Sequence, residues 1–214
     1  LIEEVSGQSF ADYMGQAVFE PLGMQRSGYG FIDGYNNSAG SYALDGSRAP
    51  SYQYAAKAAT ALASSAADVT RFVQAQLTAC RGGANAGPLS CASLEAMREP
   101  HGRSLGADVW GLGTMLYAPT QQGSYVFGHD GGNDPAINAA VRVNPDTGDA
   151  LIILLTGELS LATRLGSDWV LWQTGMPDIL ASEAVIASML TPLLLGWLVL
   201  GLALIFWRRK THAA

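Results

Sequence analysis

Residues 127–157 read FGHDGGNDPAINAAVRVNPDTGDALIILLTG, and this stretch decides the fold. Residues 137–143 alternate between apolar and more polar positions, which is the period of a β-strand with one buried face. The apolar side of this alternation consists of Ile137, Ala139, Val141 and Val143. The turn sequence NPDTGD joins this strand to Ala150–Thr156, which is apolar throughout and is therefore expected to be a central strand.

The elements around this hairpin place the chain in the α+β class. Two strand patterns precede it, VWGLGTMLYA at 109–118 and GSYVFGH at 123–129, and residues 28–51 are expected to form a long irregular loop. The predicted helices are 9–20 with caps at Ser9 and Asp12, 65–77 with caps at Ser65 and Asp68, 93–98, and 159–173. In the last helix, the residues expected to pack on the sheet are Leu161, Leu165, Trp169 and Trp172. Helices, an antiparallel sheet and a terminal helix make an α+β domain.

A long apolar segment follows this domain. Ala184 to Trp207 carries no charged residue, and as a helix it would extend about 36 Å, enough to cross a hydrocarbon core of about 30 Å. The alternative is a buried core helix, but the cations at 208–210 favour a transmembrane helix with a cytoplasmic C-terminus. We therefore divide the chain into a domain at 1–173 on the periplasmic or extracellular side, a linker at 174–183, a transmembrane helix at 184–207 and a cytoplasmic tail at 208–214.

The charge distribution limits the partners that are expected. The chain has a formal net charge of −6, and all of its acidic residues lie within residues 1–183. This argues against nucleic acid as a partner, and the expected partners are membrane lipid along Ala184 to Trp207 and a small-molecule or peptide-like substrate. No set of His, Cys or carboxylate residues has convincing metal-ligand spacing, so neither a metal nor a cofactor is expected.

The two cysteines and the first residues carry further expectations. Cys80 and Cys91 enclose the loop RGGANAGPLS, which a disulfide would close in an oxidising compartment, although two ordinary thiols are the alternative. The N-terminal sequence LIEEVSGQSF has neither a methionine nor the regions of a signal peptide. For a domain expected to face outward, we interpret this as the C-terminal part of a longer protein.

The order of several segments resembles a known superfamily. IEEVSGQSF, VFEPLGM, ALASSAADVTRFVQAQL, VWGLG and the stretch that begins FGHDGG follow one another, and this order is similar to the C-terminal part of the serine beta-lactamase and penicillin-binding-protein-like superfamily. The resemblance covers residues 1–173 and is greatest to the branch of class C beta-lactamases, esterases and D-aminopeptidases. It implies a beta-lactamase/transpeptidase-like fold, here followed by the transmembrane helix, and a serine hydrolase that works through an acyl-enzyme.

The superfamily uses an S-x-x-K helix, a Y-x-N loop and a strand with K-T-G or H-x-G. The third element matches His129, Asp130 and Gly131, whereas the first is absent, because Tyr54 and Trp207 stand three residues before the two lysines. In the superfamily both missing elements precede the segment that matches residues 1–10. A formal Y-x-N begins at Tyr35, but it lies in the wrong order, in a loop where Tyr and Asn are favoured for other reasons.

The resemblance implies a role for each residue of GHDGG. His129 would take the place of the lysine and donate to the substrate or to the tyrosine oxygen, and the backbone N–H of Gly132 would form half of an oxyanion hole. Gly131 would let the substrate lie close to the strand, and Asp130 would disfavour an anionic substrate group. The structural alternative is that Gly131 and Gly132 form a β-bulge beside a surface histidine. The functional alternative is that the protein is a non-catalytic, membrane-anchored binding or sensor module on the same fold.

Overall fold

The structure is a computed structural model that describes residues 1–30, 38–50, 54–81, 87–104, 106–134 and 136–212, without the side chains at 183, 184 and 206–212. The helices are α1 (Ile2–Ser6), α2 (Phe10–Met14), which continues as a π-helical turn (Gly15–Phe19), α3 (Lys57–Thr60), α4 (Ala66–Ala79), α5 (Cys91–Arg98), α6 (Leu161–Thr174) and α7 (Ile179–His212). The strands are β1 (Gly28–Tyr29), β2 (Leu62–Ala63), β3 (Gly102–Ser104), β4 (Ala107–Trp110), β5 (Met115–Pro119), β6 (Tyr125–Asn133), β7 (Ile137–Val143) and β8 (Ala150–Thr156).

The described chain forms an α+β fold around an antiparallel sheet, as the sequence predicts. Six strands lie in the order β3-β4-β5-β6-β7-β8, and β1 pairs with β2 separately. One face of the sheet packs against α4 through Val73, Leu116 and Phe127. The other face packs against α6 through Tyr117 and Val170. The domain therefore has a helix layer on each side of one sheet.

The sequence VWGLGTMLYA, predicted as one strand, is divided into β4 and β5 by a turn at 111–114. Gly113 has a φ of 69°, a conformation that favours glycine. A Cβ atom on Gly111 would collide with the carbonyl oxygen of Met97 at the end of α5. The amide of Leu112 donates to this same oxygen at 2.9 Å, so the turn is fixed against α5.

The predicted buried face of β7 is only partly correct. Val143 is 1% exposed and belongs to the core on this face, whereas Ile137 and Val141 are only partly buried. The opposite face is buried as well, through Asn138, Ala140 and Arg142. The polar side faces α6, where most of its hydrogen-bonding groups find partners, and the apolar side faces the more open α4 layer. Alternation alone reports the period of a strand and not which of its faces is covered.

The predicted packing face of α6 is also only partly correct. Trp169 packs against the core as predicted, but Leu165 is 44% and Trp172 is 76% exposed. The buried residues of α6 are Ala162, Gly166 and Val170. A Cβ atom on Gly166 would lie 3.0 Å from Cζ of Arg142. Because the guanidinium occupies the space between sheet and helix, α6 approaches the sheet through small residues.

Ala150–Thr156 is not a central strand among the described residues, since β8 lies at the end of the sheet order. Both α4 and α6 contact β8. Helices thus cover part of both faces of this apolar strand, although Leu154 is 43% exposed.

Caps and a disulfide position the helices as expected. The Ser9 and Ser65 hydroxyls accept from the amides of Asp12 and Asp68, at 3.1 Å and 3.2 Å. A disulfide joins Cys80 to Cys91, with the two Cα atoms 4.7 Å apart, and so connects the end of α4 to the start of α5. Of the two alternatives for the cysteines, the structure has the bridge.

The apolar segment is one helix, α7, that begins at Ile179 and contains Pro192. This start lies within residues 174–183, which the sequence assigns to a linker. The helix begins there because the Asp178 carboxylate caps it, accepting from the amides of Leu180 and Ala181 at 2.9 Å and 3.1 Å. By length and composition, Ile179–Ile205 is long and apolar enough to cross a membrane, and none of its most apolar window is buried.

Candidate active site

The site predicted from GHDGG lies at the end of strand β6. Strand β5 pairs with β6 only as far as Gly128, which is opposite Met115. Residues 129–133 continue beside β7 without a register shift, and among the described residues no strand pairs with them on the β5 side. We call residues 129–133 the free edge.

The direction of the backbone groups follows from two side-chain hydrogen bonds. The Thr114 hydroxyl donates to the Gly128 carbonyl at 3.1 Å, so that this carbonyl points toward β5. The Asn138 amide donates to the Gly131 carbonyl at 3.2 Å, from the β7 side. Because successive residues of a strand point their backbone groups to opposite sides, the N–H of Gly132 and the C=O of Asp130 point toward the open side of the free edge.

His129 lies on this edge with its ring in a defined orientation. The side chain is exposed, and its Nδ1 lies 2.6 Å from the carbonyl oxygen of Asp130. The ring contacts Trp110 edge-on, with the centroids 5.8 Å apart. A carbonyl can only accept, so Nδ1 carries the proton, and in the neutral ring Nε2 is left as a hydrogen-bond acceptor.

The Asp130 side chain is not brought together with His129, because neighbouring residues of a strand project to opposite faces. Its carboxylate accepts from Nη1 and Nη2 of Arg142, at 2.7 Å and 3.0 Å, on the α6 side. The negative charge is thus paired and directed away from the free edge. The expected repulsion of an anionic substrate group by Asp130 finds no support in this geometry.

The glycines of the motif are needed for different structural reasons. A Cβ atom on Gly128 would collide with the carbonyl oxygen of Val141 in β7, so this glycine is required for strand pairing. At Gly131 and Gly132 the nearest atoms would be 3.7 Å and 3.8 Å from a Cβ, an ordinary contact distance. Packing within the described chain therefore does not explain these two glycines, whereas the close approach of another molecule to the free edge would.

An apolar groove adjoins His129 on the α4 face of the sheet. It has a volume of about 370 Å³, and its walls include Met14, Phe72, Met97 and Val141. His129, Gly128 and Thr114 contribute the polar end of the groove. The arrangement therefore places an apolar groove beside a strand edge that offers backbone donors and an imidazole.

Charge near the groove comes from Arg98. Its guanidinium lies over the Phe127 ring, 4.8 Å from the centroid, and its Nε donates to the Leu94 carbonyl at 2.9 Å. Burial lowers the pKa of Arg98 from the ordinary arginine value, but a guanidinium remains charged at neutral pH. The groove wall thus carries one fixed positive charge beside its apolar residues.

The remaining candidates lie away from this site or outside the described residues. Tyr35 lies outside the described residues, and so do the side chains of Lys210 and His212. Within the described part of the chain, one group of potential metal ligands occurs, Cys80, Cys91 and Glu95. Both sulfur atoms of this group form the disulfide, so neither is a thiolate that could hold a metal.

Sequence reasoning missed three residues that shape the site: Trp110, Asn138 and Arg142. Trp110 lies in VWGLG, which contributed only to the family resemblance. Asn138 and Arg142 were assigned to the solvent side of β7. An arginine and an asparagine in a strand flanked by apolar segments were the available signal, because buried polar groups need partners and often fix a specific geometry.

Comparison with known proteins gives the same fold. The family model described as Beta-lactamase matches residues 1–175. A solved structure described as the octameric penicillin-binding protein homologue from Pyrococcus abyssi aligns over 77% of this chain and 40% of its own, with 24% identity and a TM-score of 0.59. No curated protein gives a significant match.

Two further solved structures are similar at lower identity. A beta-lactamase/D-alanine carboxypeptidase from Pseudomonas syringae aligns over 82% of this chain and 56% of its own, with 16% identity and a TM-score of 0.62. A class C beta-lactamase in complex with cefoxitin aligns over 76% and 52%, with 15% identity and a TM-score of 0.58. The chain thus spans about half the length of these solved structures.

Proposed function

Since the chain belongs to the beta-lactamase family, we propose that it forms one wall of an acyl-transfer site in a membrane-anchored serine hydrolase, with the nucleophile outside residues 1–214. The observation that carries this proposal is the free edge. It offers the N–H of Gly132 and the imidazole of His129 on the side that no described strand covers. The proposed substrate has an ester, amide or beta-lactam carbonyl.

The chemistry follows from how charge develops during acyl transfer. Attack on a carbonyl places negative charge on its oxygen, and an N–H that is already oriented stabilises this charge without reorganisation. In our proposal Gly132 supplies one such N–H, and the amide of the external nucleophile supplies the second. The substrate lies along the free edge, where Gly131 and Gly132 present no side chain.

His129 has a specific role in this proposal. With Nδ1 donating to the Asp130 carbonyl, the neutral ring offers Nε2 as an acceptor for a proton from the substrate or from a catalytic hydroxyl. The protonated ring offers a donor at the same position instead. Because the same position can accept a proton in one step and donate it in the next, the group suits both directions of proton transfer during acylation and deacylation.

The apolar groove supports the position of the missing nucleophile. A groove of about 370 Å³ with apolar walls lies on the face of the sheet that carries the His129 side chain. A helix that bears the nucleophile and packs in this groove would bury these walls and bring its serine next to the free edge. Such packing is favourable because burial of apolar surface contributes about 25 cal/mol per Å².

A direct test compares the chain alone with a longer protein that contains it. We expect residues 1–214 alone to show no hydrolysis of a chromogenic beta-lactam or a short-chain ester, and the longer protein to hydrolyse at least one of them. Activity of the chain alone that is abolished by substitution of one of its own serines would refute the external nucleophile. If both proteins bind such compounds without hydrolysis, the binding or sensor module is the better description.

We also propose that α7 crosses a membrane. The helix Ile179–Ile205 is apolar, and none of its most apolar window is buried within the described part of the chain. Trp172 and Met176, which are exposed by 76% and 49%, precede it. Tryptophan is enriched at membrane interfaces. A reporter fused after Ala214 should behave as cytoplasmic and one inserted in the 38–50 segment as external, whereas the reverse pattern would contradict the proposed orientation.

A further inference from the structure

Arg142 in β7 is the most unusual buried group of the described chain. Its side chain is 0% exposed, and Cζ lies 3.6 Å from the centroid of the Tyr117 ring. Burial raises the pKa of Tyr117, so the ring is neutral where it stacks on the guanidinium. Within the described part of the chain, one guanidinium nitrogen, Nε, has no hydrogen-bond partner. The fold thus keeps a charged side chain in its interior although this costs desolvation and leaves one donor unsatisfied.

The guanidinium connects two parts of the molecule. On one side it holds the Asp130 carboxylate through two hydrogen bonds of 2.7 Å and 3.0 Å. On the other side Nη2 lies 3.7 Å from Oδ2 of Asp178, which is buried. Asp178 caps the N-terminus of α7, and its Oδ2 also accepts from the Ser167 hydroxyl at 2.9 Å. A continuous path of polar contacts therefore runs from the start of α7 to the free edge.

A second buried side chain of β7 acts on the neighbouring residue of the edge. The Asn138 amide donates to the Gly131 carbonyl and to the Thr163 hydroxyl, both at 3.2 Å. Its Oδ1 accepts from the Thr163 amide, also at 3.2 Å. Asp130 and Gly131 are thus both held from behind by β7, while their other side is the open one.

We propose that Arg142 is a positioning residue: its bidentate pair with Asp130 orients the free edge, and its contact with Asp178 aligns this edge with the N-terminus of α7. The proposal rests on the proposed function only for its catalytic consequence. A buried ion pair contributes little net stability compared with apolar packing, but the fork-to-fork geometry of arginine and carboxylate fixes orientation in a way that apolar contacts do not.

Hydrogen exchange on the full chain in detergent or lipid tests the alignment without any activity assay. In Arg142→Gln we expect peptides that cover 129–133 and 178–182 to exchange about tenfold faster, with α4 within about twofold of the unmodified chain. The variant Asp178→Asn keeps the helix cap, because asparagine also caps helices, and removes only the negative charge. In this variant we expect hydrogen exchange at 129–133 to be about threefold faster than in the unmodified chain. Arg164→Gln and Asp168→Asn, which change exposed residues of α6, are the matched controls and should have no effect.

Each outcome decides the proposal. Faster exchange confined to the two ends of the path supports it, and uniformly faster exchange in both variants would mean that Arg142 only stabilises the fold, which overturns it. No effect of Asp178→Asn at 129–133 overturns the link to α7, and this variant remains informative if Arg142→Gln does not fold. In the longer protein, Arg142→Gln should lower kcat about tenfold with KM nearly unchanged. Local exchange effects with normal kcat would refute the catalytic use of the free edge but not the alignment.

Discussion

Replacement of His129 should separate catalysis from stability in the longer protein. His129 is exposed, and its described contacts are the Asp130 carbonyl at 2.6 Å and the edge-on Trp110 ring. A hydrogen bond contributes about 0.5–1.5 kcal/mol and an aromatic edge contact a similar amount, less at an exposed site. We therefore expect His129→Ala to lower the free energy of unfolding by about 1 kcal/mol. Turnover should fall by about 10- to 1000-fold, which is about 1.4–4 kcal/mol of activation free energy.

The orientation of the ring makes a sharper version of this prediction possible. The amide nitrogen of an asparagine reaches about as far as Nδ1, and that of a glutamine about as far as Nε2. Because Nδ1 is already used by the Asp130 carbonyl, Nε2 is the atom left for the reaction. His129→Gln should therefore retain more turnover than His129→Asn, while both retain stability. His129→Lys should keep part of the activity, because an ammonium group can also donate a hydrogen bond at the free edge.

Steady-state hydrolysis of the best substrate and chemical denaturation of each variant provide the measurements. His101→Ala is the matched control, because His101 is also an exposed histidine of this sheet region but contributes a backbone amide bond to Trp110 rather than a ring at the free edge. It should leave turnover unchanged. Normal turnover in His129→Ala, or equal losses in the His129 and His101 variants, would refute the role of His129 in the site.

Two further predictions concern stability. The double variant Cys80→Ser with Cys91→Ser should lower the free energy of unfolding by up to about 3 kcal/mol, because the unfolded chain loses the crosslink that closes this short loop. Reaction of the native chain with a thiol reagent before reduction would contradict the bridge. Hydrogen bonds from Arg103 and Tyr125 lower the pKa of the Asp108 carboxyl in the folded protein. The ionised carboxylate therefore stabilises the fold at pH values above the unfolded-state pKa of about 4, and this contribution is lost as the pH falls through the lower folded-state pKa. The Tm advantage over Asp108→Asn should therefore shrink from about pH 7 to about pH 3, and a constant difference would refute this assignment.

The elements of the fold follow from local sequence signals, but the covered faces do not. Serine caps, the alternation of 137–143 and the turn at 144–149 predict helices and strands that the structure contains. The burial of the second face of β7 was not predicted, because Arg142 and Asn138 are polar and yet buried. Their partners, Asp130 and Thr163, are distant in sequence, and only the assembled fold shows which of these polar groups find partners.

The same limit applies to the site. The motif GHDGG identified the strand and its glycines, because the order of segments along the chain is specific. It did not predict that the Asp130 carboxylate lies behind the sheet, although alternation along β6 separates it from His129. Nor did it predict Trp110 beside the imidazole, since this contact depends on the turn that separates β4 from β5. Contacts between strands require the register, and the register depends on these turns.

The most direct test of the central claim is to map the residue that reacts with a serine-directed acylating probe. A fluorophosphonate or a labelled beta-lactam is incubated with the longer protein, and the modified peptide is identified by mass spectrometry. We expect one labelled serine outside residues 1–214, with labelling strongly reduced in His129→Ala and unchanged in His101→Ala. A labelled serine within residues 1–214, or labelling that is indifferent to His129, would contradict the assignment of the free edge as one wall of an acyl-transfer site.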